Sequence, residues 1–226
     1  MNSKILIIAA HPDDEILGCA GTLARLIKEG CEALTLILGE GVASRYNKTN
    51  IKEIGEEIEK LKCQAKRANE IIGVKNVSLC NFPDNSFDTK SFLDIVKVVE
   101  GVKMEYKPDI VFTHYENDLN IDHEITFRAA ITATRPTRGE TVKEIYSFEV
   151  ISSTEWRYPN SFCPDVFFDI SETLDLKLKA MSEYETELRN FPHPRSLENI
   201  KLNAKHWGVR VGLKYAEAFK TIRAIK

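Results

Sequence analysis

The chain has 226 residues, of which 43% are hydrophobic and 29% charged, with 34 acidic residues against 31 basic ones and a formal net charge of −3. This composition excludes a disordered, collagen-like or low-complexity chain, and the near balance of charge argues against nucleic acid as a partner. Apolar runs stay well short of the ~20 residues of a membrane helix, so we expect a cytoplasmic protein without a membrane span.

Apolar runs and amphipathic segments alternate along the chain. The first run, KILIIAA at 4–10, has no polar alternation, which is typical of a parallel strand covered on both faces. A helix is predicted from HPDDE to residue 28, just before Gly30. The pattern predicts further strands at 33–38, 77–80, 109–113, 143–149 and 166–170. It predicts further helices at 51–72, 91–106, 122–133 and 172–189, followed by helical turns at the C-terminus.

Strands that are separated by helices require right-handed crossovers and a parallel sheet. We therefore expect an α/β protein, a three-layer Rossmann-like fold with a mainly parallel sheet and a C-terminal cap region. Residues 1–226 would form one domain, with the core at about 1–150 and the cap and C-terminal helices at about 151–226. The five cysteines are odd in number and scattered, so they do not indicate a disulfide framework.

Polar clusters follow two of the predicted strands. His11-Pro12-Asp13-Asp14-Glu15 comes after the first strand, and the segment NDLNIDH at 117–123 comes after the fourth. Ligand sites of open α/β sheets lie beyond the carboxyl ends of the strands. If the first and fourth strands are neighbours, the two clusters face each other.

This arrangement suggests a metal site. His11 and Asp14 are three residues apart at a helix start, and His123 can add a third ligand from the other cluster. Two imidazoles and one carboxylate leave a coordination position open, as in catalytic zinc sites, although Fe²⁺ suits the same donors. Asp13 would be the base that takes a proton from water, and Asp122 would either orient an imidazole or modulate that base.

A purely structural interpretation exists for each of these residues. Acidic residues in the first turn of a helix are favoured by the helix dipole whatever the function, so Asp13 and Asp14 alone would indicate capping. The coincidence of histidines and acids at two strand ends favours the metal interpretation. Several loop residues are candidates for substrate binding, although each could also be an ordinary surface residue: Arg45, Asp84 and Arg195.

The segment AAHPDDE after an apolar strand, with a later Asp-His pair before a helix, resembles the PIG-L or LmbE-like zinc-dependent N-deacetylases. The resemblance implies that His11, Asp14 and His123 bind zinc and that Asp13 is the general base. It also implies an N-acetylated amino sugar of the GlcNAc type, free or in a conjugate such as a nucleotide sugar, as the substrate. Acetate and a free amine would be the products. The oligomeric state stays open, and a homo-oligomer is compatible with the sequence.

The second motif of the family commonly reads His-x-Asp-His, whereas residues 120–123 here read NIDH. The amide of Asn120 can donate a hydrogen bond to an oxyanion but cannot deliver a proton. Asp13 or His193 would then have to protonate the leaving amine. The substitution also motivates a second hypothesis, a sugar-binding or regulatory module with weak or no turnover. Retention of the base Asp13 argues against that hypothesis.

Overall fold

Strands and helices alternate along most of the chain in the computed structural model, which describes residues 3–45, 51–159 and 162–226. The strands are β1 Lys4–Ala9, β2 Glu32–Gly39, β3 Asn76–Phe82, β4 Ile110–His114, β5 Glu144–Phe148, β6 Val166–Asp169 and β7 Ala216–Ala224. The helices are α1 Asp14–Lys28, α2 Ile51–Ile71, α3 Phe92–Tyr106, α4 Ile121–Ala133, α5 Leu174–Ser182 and α6 Leu197–Arg210. None of the helices in these ranges is both long enough and apolar enough to cross a bilayer.

All seven of these strands join one sheet in the order β3-β2-β1-β4-β5-β7-β6. The first five run parallel, and β7 is antiparallel to both β5 and β6. β1 pairs with β2 on one side and with β4 on the other, so the strand order reverses at β1. The predicted α/β fold with a mainly parallel sheet is confirmed, and the two polar clusters lie at neighbouring strand ends.

Strand β1 has no polar alternation because helices cover both of its faces. Ile5 and Ile7 pack into a core that contains residues of α1, α2 and α5. Leu6 and Ile8 point the other way, into a core with residues of α3 and α4. Since all four side chains are fully buried, the strand that carries the first polar cluster lies at the centre of the molecule.

The strand predicted at 166–170 is β6, and strand β7, which was not predicted, also extends the sheet. The helical turns predicted there are α6 followed by strand β7, in which the small side chains of Ala216 and Ala218 are buried. The basic residues of this strand lie on its less buried half, which concealed the strand pattern. Helix α5 ends at Ser182 rather than at residue 189, and Tyr184 and Glu187 beyond it are buried.

A buried ion pair joins α1 to α5 and β7. Lys177 Nζ lies 2.6 Å from Glu217 Oε1 and also donates a hydrogen bond to the Leu17 carbonyl. The Glu217 carboxylate accepts hydrogen bonds from the backbone N–H groups of Gly21 and Thr22, at 3.0 and 2.7 Å. Because the pair bonds to the backbone of α1, it helps to fix the helix whose first turn carries part of the first polar cluster.

Replacing Lys177 with Met is expected to lower the free energy of unfolding by about 3–5 kcal/mol, because the Glu217 charge stays buried without its partner. Urea denaturation followed by circular dichroism measures the change. The double variant Lys177→Met/Glu217→Gln should recover part of the loss, since no unpaired charge remains. A single variant as stable as the wild type, or a double variant with no recovery, would contradict this role of the ion pair.

Candidate metal centre and active site

A cavity of about 220 Å³ opens beyond the carboxyl ends of β1 and β4. It brings together the three predicted metal ligands, the predicted base, and the predicted substrate-binding residues. Among the residues that line it are His11, Asp13, Asp14, Arg45, Asp84, Asn85, Asn120, His123, Glu187 and Arg195. Residues from well-separated parts of the chain therefore meet at the point where the strand order reverses.

The three predicted metal ligands converge on one point. The Oδ2 atom of Asp14 lies 3.5 Å from His11 Nδ1 and 3.3 Å from His123 Nε2. One ligand atom from each of the three residues lies within 4.8 Å of the others, and all three side chains are buried. Two imidazole nitrogens and a carboxylate oxygen in this arrangement can hold a divalent ion.

Carboxylates also stand behind both imidazoles. His11 Nε2 is hydrogen-bonded to Asp122 Oδ2 at 3.0 Å, and His123 Nδ1 lies 3.1 Å from Asp118 Oδ1. The second oxygen of Asp122 accepts a hydrogen bond from the backbone N–H of Phe87. The carboxylate partners assign a proton to each outer nitrogen, His11 Nε2 and His123 Nδ1. The inner nitrogens, His11 Nδ1 and His123 Nε2, then keep their lone pairs for a metal. Asp122 thus orients His11, which was one of the two roles open for it.

The electrostatics of the site favour a cation where the imidazoles meet. Burial alone lowers the pKa of His123, but the Asp14 and Asp118 carboxylates raise it to about 9. Burial opposes protonation of His11 as well, yet hydrogen bonds with Asp122 and Asp14 raise its pKa well above the usual value. The surrounding carboxylates therefore favour positive charge on both rings, and a divalent ion would satisfy the same field.

A second group of potential ligands consists of His11, Asp84 and Asp122. The nitrogen that His11 would contribute, Nε2, already bonds to Asp122 at 3.0 Å and lies 3.4 Å from Asp84 Oδ1. Asp84 Oδ2 accepts a hydrogen bond from the Ser44 hydroxyl. Because these atoms satisfy one another, the His11, Asp14 and His123 group fits a metal better.

Asp13 occupies a strained backbone position at the start of α1, with a φ angle of 105°. Such a conformation costs a non-glycine residue about 1–3 kcal/mol. The N–H of Asp13 donates to Glu15 Oε2, and Glu15 Oε1 accepts from the Tyr184 hydroxyl at 2.6 Å and from Asn69 Nδ2 at 2.8 Å. This buried network holds Asp13 in place, and its carboxylate lies 3.2 Å from Arg195 Nη1.

The surroundings of Asp13 suit a proton acceptor. Burial raises the pKa of its carboxyl well above the usual value, against the lowering effect of Arg195, and the nearby Asp14 and Glu187 raise it further. A carboxylate whose pKa is raised accepts a proton more readily near neutral pH.

Asn120 caps helix α4 and also faces the cavity. Its Oδ1 accepts a hydrogen bond from the Asp122 N–H at 2.8 Å, and its Nδ2 donates to Asn85 Oδ1 at 2.9 Å. The amide nitrogen carries two hydrogens, so a second N–H is available besides the one given to Asn85. The capping bond fixes the orientation of the amide, and both Asn120 and its partner Asn85 line the cavity.

The two predicted arginines meet at one buried carboxylate. Arg45 Nη1 and Nη2 lie 2.6 and 2.8 Å from the two oxygens of Glu187, and Arg195 Nη1 lies 2.9 Å from Glu187 Oε2. Glu187 does not belong to a recognisable sequence motif, because its neighbours in the sequence have the pattern of an ordinary amphipathic helix. It reaches the cavity only because α5 ends at Ser182.

His193 requires a correction, because it is not among the described residues that line the cavity. Its ring packs edge-on against Trp156, with 6.4 Å between ring centroids, and its Nδ1 accepts a hydrogen bond from the Arg195 N–H. The turn at 190–195 directs the Arg195 side chain, rather than the imidazole, toward Asp13. The structure therefore does not place His193 where a general acid would be needed.

His114, at the end of β4, packs beside the predicted metal ligands. Its Nε2 accepts a hydrogen bond from the Ala10 N–H at 2.8 Å, and its ring stacks on His123 with 4.0 Å between centroids. Burial and the neighbouring His123 lower the pKa of His114 to about 3. We therefore assign it as a neutral ring that supports His123.

Comparisons with known proteins find relatives that are named as deacetylases. The chain is 25% identical over 189 residues to the probable N-acetyl-alpha-D-glucosaminyl L-malate deacetylase 2 of Bacillus cereus, covering 83% of this chain and 84% of that protein. It is 25% identical over 232 residues to the diacetylchitobiose deacetylase of Thermococcus kodakarensis, covering 98% of this chain and 84% of the relative.

The fold itself is shared with enzymes of other chemistry. The 4-carboxy-2-hydroxymuconate hydratase of Pseudomonas putida superposes with a TM-score of 0.78 at 19% identity, covering 100% of this chain and 98% of the other. The model of the PIG-L family, described as GlcNAc-PI de-N-acetylase, matches residues 6–134, more than half of the chain and both polar clusters. The chain therefore belongs to the PIG-L family.

Proposed function

We propose that this protein is a single-domain, metal-dependent hydrolase that removes the N-acetyl group from a GlcNAc-type amino sugar or its conjugate. The observation that carries the proposal is the position of the Asp13 carboxylate in the same cavity as the group formed by His11, Asp14 and His123. The names of the relatives, which include deacetylases of acetylated glucosamine compounds, support the substrate class.

The donor set favours zinc as the ion. Two imidazoles and a carboxylate with an open position are typical of catalytic zinc sites, and Fe²⁺ is the other ion that these donors suit. Such an ion would polarise the amide carbonyl of the substrate and lower the pKa of a water molecule that it binds.

The side chains that line the cavity can accept and donate the protons that move during the hydrolysis of an amide. Asp13 accepts a proton from the water that attacks the acetyl carbon. The free N–H of Asn120 can donate a hydrogen bond to the carbonyl oxygen as it gains negative charge. When the C–N bond breaks, Asp13 returns its proton to the nitrogen, which leaves acetate and a free amine. Asp13 takes both roles because His193 does not line the cavity.

The alternative function is a sugar-binding or regulatory module with weak or no turnover, which the Asn at position 120 motivates. The buried network that holds Asp13 in a strained conformation argues against it, since a site without turnover has no need of a positioned base. The fold alone does not establish deacetylation, because the same fold also supports a hydratase.

An amine-release assay on the zinc-loaded protein tests the proposal. The panel would contain GlcNAc, N,N′-diacetylchitobiose, GlcNAc 1-phosphate, UDP-GlcNAc and a GlcNAc–malate conjugate. We expect at least one of them to release acetate and amine in equal amounts. Binding of a sugar without release of acetate would support the alternative instead.

A further inference from the structure

The positive charges of the cavity are already matched inside the protein. Arg45 is 42% exposed and forms a two-pronged contact with Glu187, whose side chain is only 1% exposed. Arg195 contacts the same carboxylate at 2.9 Å and Asp13 at 3.2 Å. Both guanidinium groups therefore face the cavity with their charge compensated by buried acids.

We propose that this site selects substrates without a negative charge next to the acetylated sugar, and that Glu187 is the residue that sets this selectivity. The inference rests on the proposed deacetylase function and narrows its substrate class to neutral glycans. It also changes the part expected of Arg45 and Arg195, which would contact hydroxyl groups rather than phosphate.

An anion would have to compete with Glu187 for the two arginines. The Glu187 carboxylate receives three N–H contacts from them and is buried, so it cannot turn into solvent to make room. A phosphate or carboxylate bound to Arg45 would then lie near a second fixed negative charge, which opposes binding. Sugar hydroxyls can accept from the remaining N–H groups, which on Arg45 number three of five, without adding charge.

The overall charge of the cavity also disfavours an anionic substrate. Its lining includes four carboxylates and two guanidinium groups, those of Asp13, Asp14, Asp84, Glu187, Arg45 and Arg195. A divalent ion would bring their formal sum to zero. Asp118 and Asp122, behind the imidazoles, add further negative charge, so the described residues leave no surplus positive charge for an anionic substrate.

The lining also offers hydrogen-bonding groups to sugar hydroxyls. Asp84 can accept hydrogen bonds from hydroxyls, while Asn85 and Asn120 offer both donors and acceptors. A glycan chain presents hydroxyls that match all three, whereas a phosphate has only acceptors and would be repelled by Asp84. Of the two relatives described above, the one named for diacetylchitobiose has a neutral substrate, and this chain is expected to share that preference.

Steady-state kinetics of the holoenzyme test the inference with N,N′-diacetylchitobiose as the neutral substrate and GlcNAc 1-phosphate and GlcNAc–malate as the anionic ones. We expect kcat/KM for the neutral substrate to be at least about tenfold higher. Glu187→Gln should shift the ratio of anionic to neutral kcat/KM upward by at least about tenfold, mainly through a lower KM for the anions. Glu187→Gln also disturbs Arg195, but a loss of kcat from this cause affects all substrates equally and cancels in the ratio.

The matched control is Glu183→Gln, because Glu183 pairs with Arg67 on the surface, outside the cavity. This control should keep the wild-type ratio. Preference of the wild type for an anionic substrate, or an unchanged ratio in Glu187→Gln, would overturn the inference. If Glu187→Gln does not fold, Arg45→Gln decides, since selective loss of anionic substrates would show that Arg45 binds the anion.

The two proposals can fail separately. If no substrate releases acetate, the proposed function is rejected, and calorimetric binding of the same three compounds still measures the charge preference. Tighter binding of the neutral sugar would support the selectivity, and tighter binding of an anion would overturn it. If the anionic compounds are hydrolysed best, the deacetylase function stands and the selectivity does not.

Discussion

Replacing Asp13 with Asn is expected to lower kcat for deacetylation by about 10²–10⁴-fold while the metal content stays at the wild-type value. An amide has nearly the shape of the carboxylate but cannot accept the proton of the attacking water. Asp13 is not one of the three converging ligands, so the ion should remain. Asn also tolerates the positive φ angle at this position better than most residues, which protects the fold.

Acetate release and elemental analysis on the same preparations measure the two effects. A thermal unfolding curve close to that of the wild type is the control for folding. An Asp13→Asn variant that keeps both its metal and full activity would transfer the role of base to another group. A variant that loses its metal would instead assign Asp13 to the coordination sphere.

Replacing Asp14 with Ala is expected to reduce bound metal from about one ion per chain to near zero, and activity with it. Asp14 Oδ2 is the atom that both imidazoles of the group face, at 3.5 and 3.3 Å. Without the carboxylate, two histidines alone bind a divalent ion weakly. Titration of the metal-free protein with zinc measures the affinity directly, without reference to turnover.

Asp84→Asn is the matched control for this experiment. Asp84 is another buried carboxylate beside His11, at 3.4 Å, but it belongs to the second group of potential ligands. The control should keep its metal if the ion is held by His11, Asp14 and His123. The reverse result, with metal lost in Asp84→Asn and kept in Asp14→Ala, would move the ion to the second group.

The local parts of the site could be predicted from sequence because each is encoded in a short segment. HPDDE follows a buried strand, and its residues His11 and Asp14 project toward one point. The DH pair similarly opens helix α4 after β4. The adjacency of β1 and β4 was only a condition of this interpretation, and the observed pairing of the two strands meets it.

The remaining parts depend on contacts between residues far apart in the chain. Glu187 and Tyr184 reach the site from beyond a helix that ends earlier than its pattern indicates. The orientation of Arg195 toward Asp13, in place of His193, follows from a turn whose geometry no periodicity encodes. Strand β7 was concealed by its basic residues, since their exposure depends on the neighbouring strands.

The sequence by itself determined the fold class and the make-up of the candidate metal group, because hydrophobic periodicity and closely spaced polar side chains are local properties of the chain. Only the tertiary structure showed which charges compensate one another. Glu187 lies 142 residues after Arg45 in the chain, yet the two side chains are in direct contact. The charge that a substrate meets in the cavity is a sum over such distant groups, and folding alone brings them within reach.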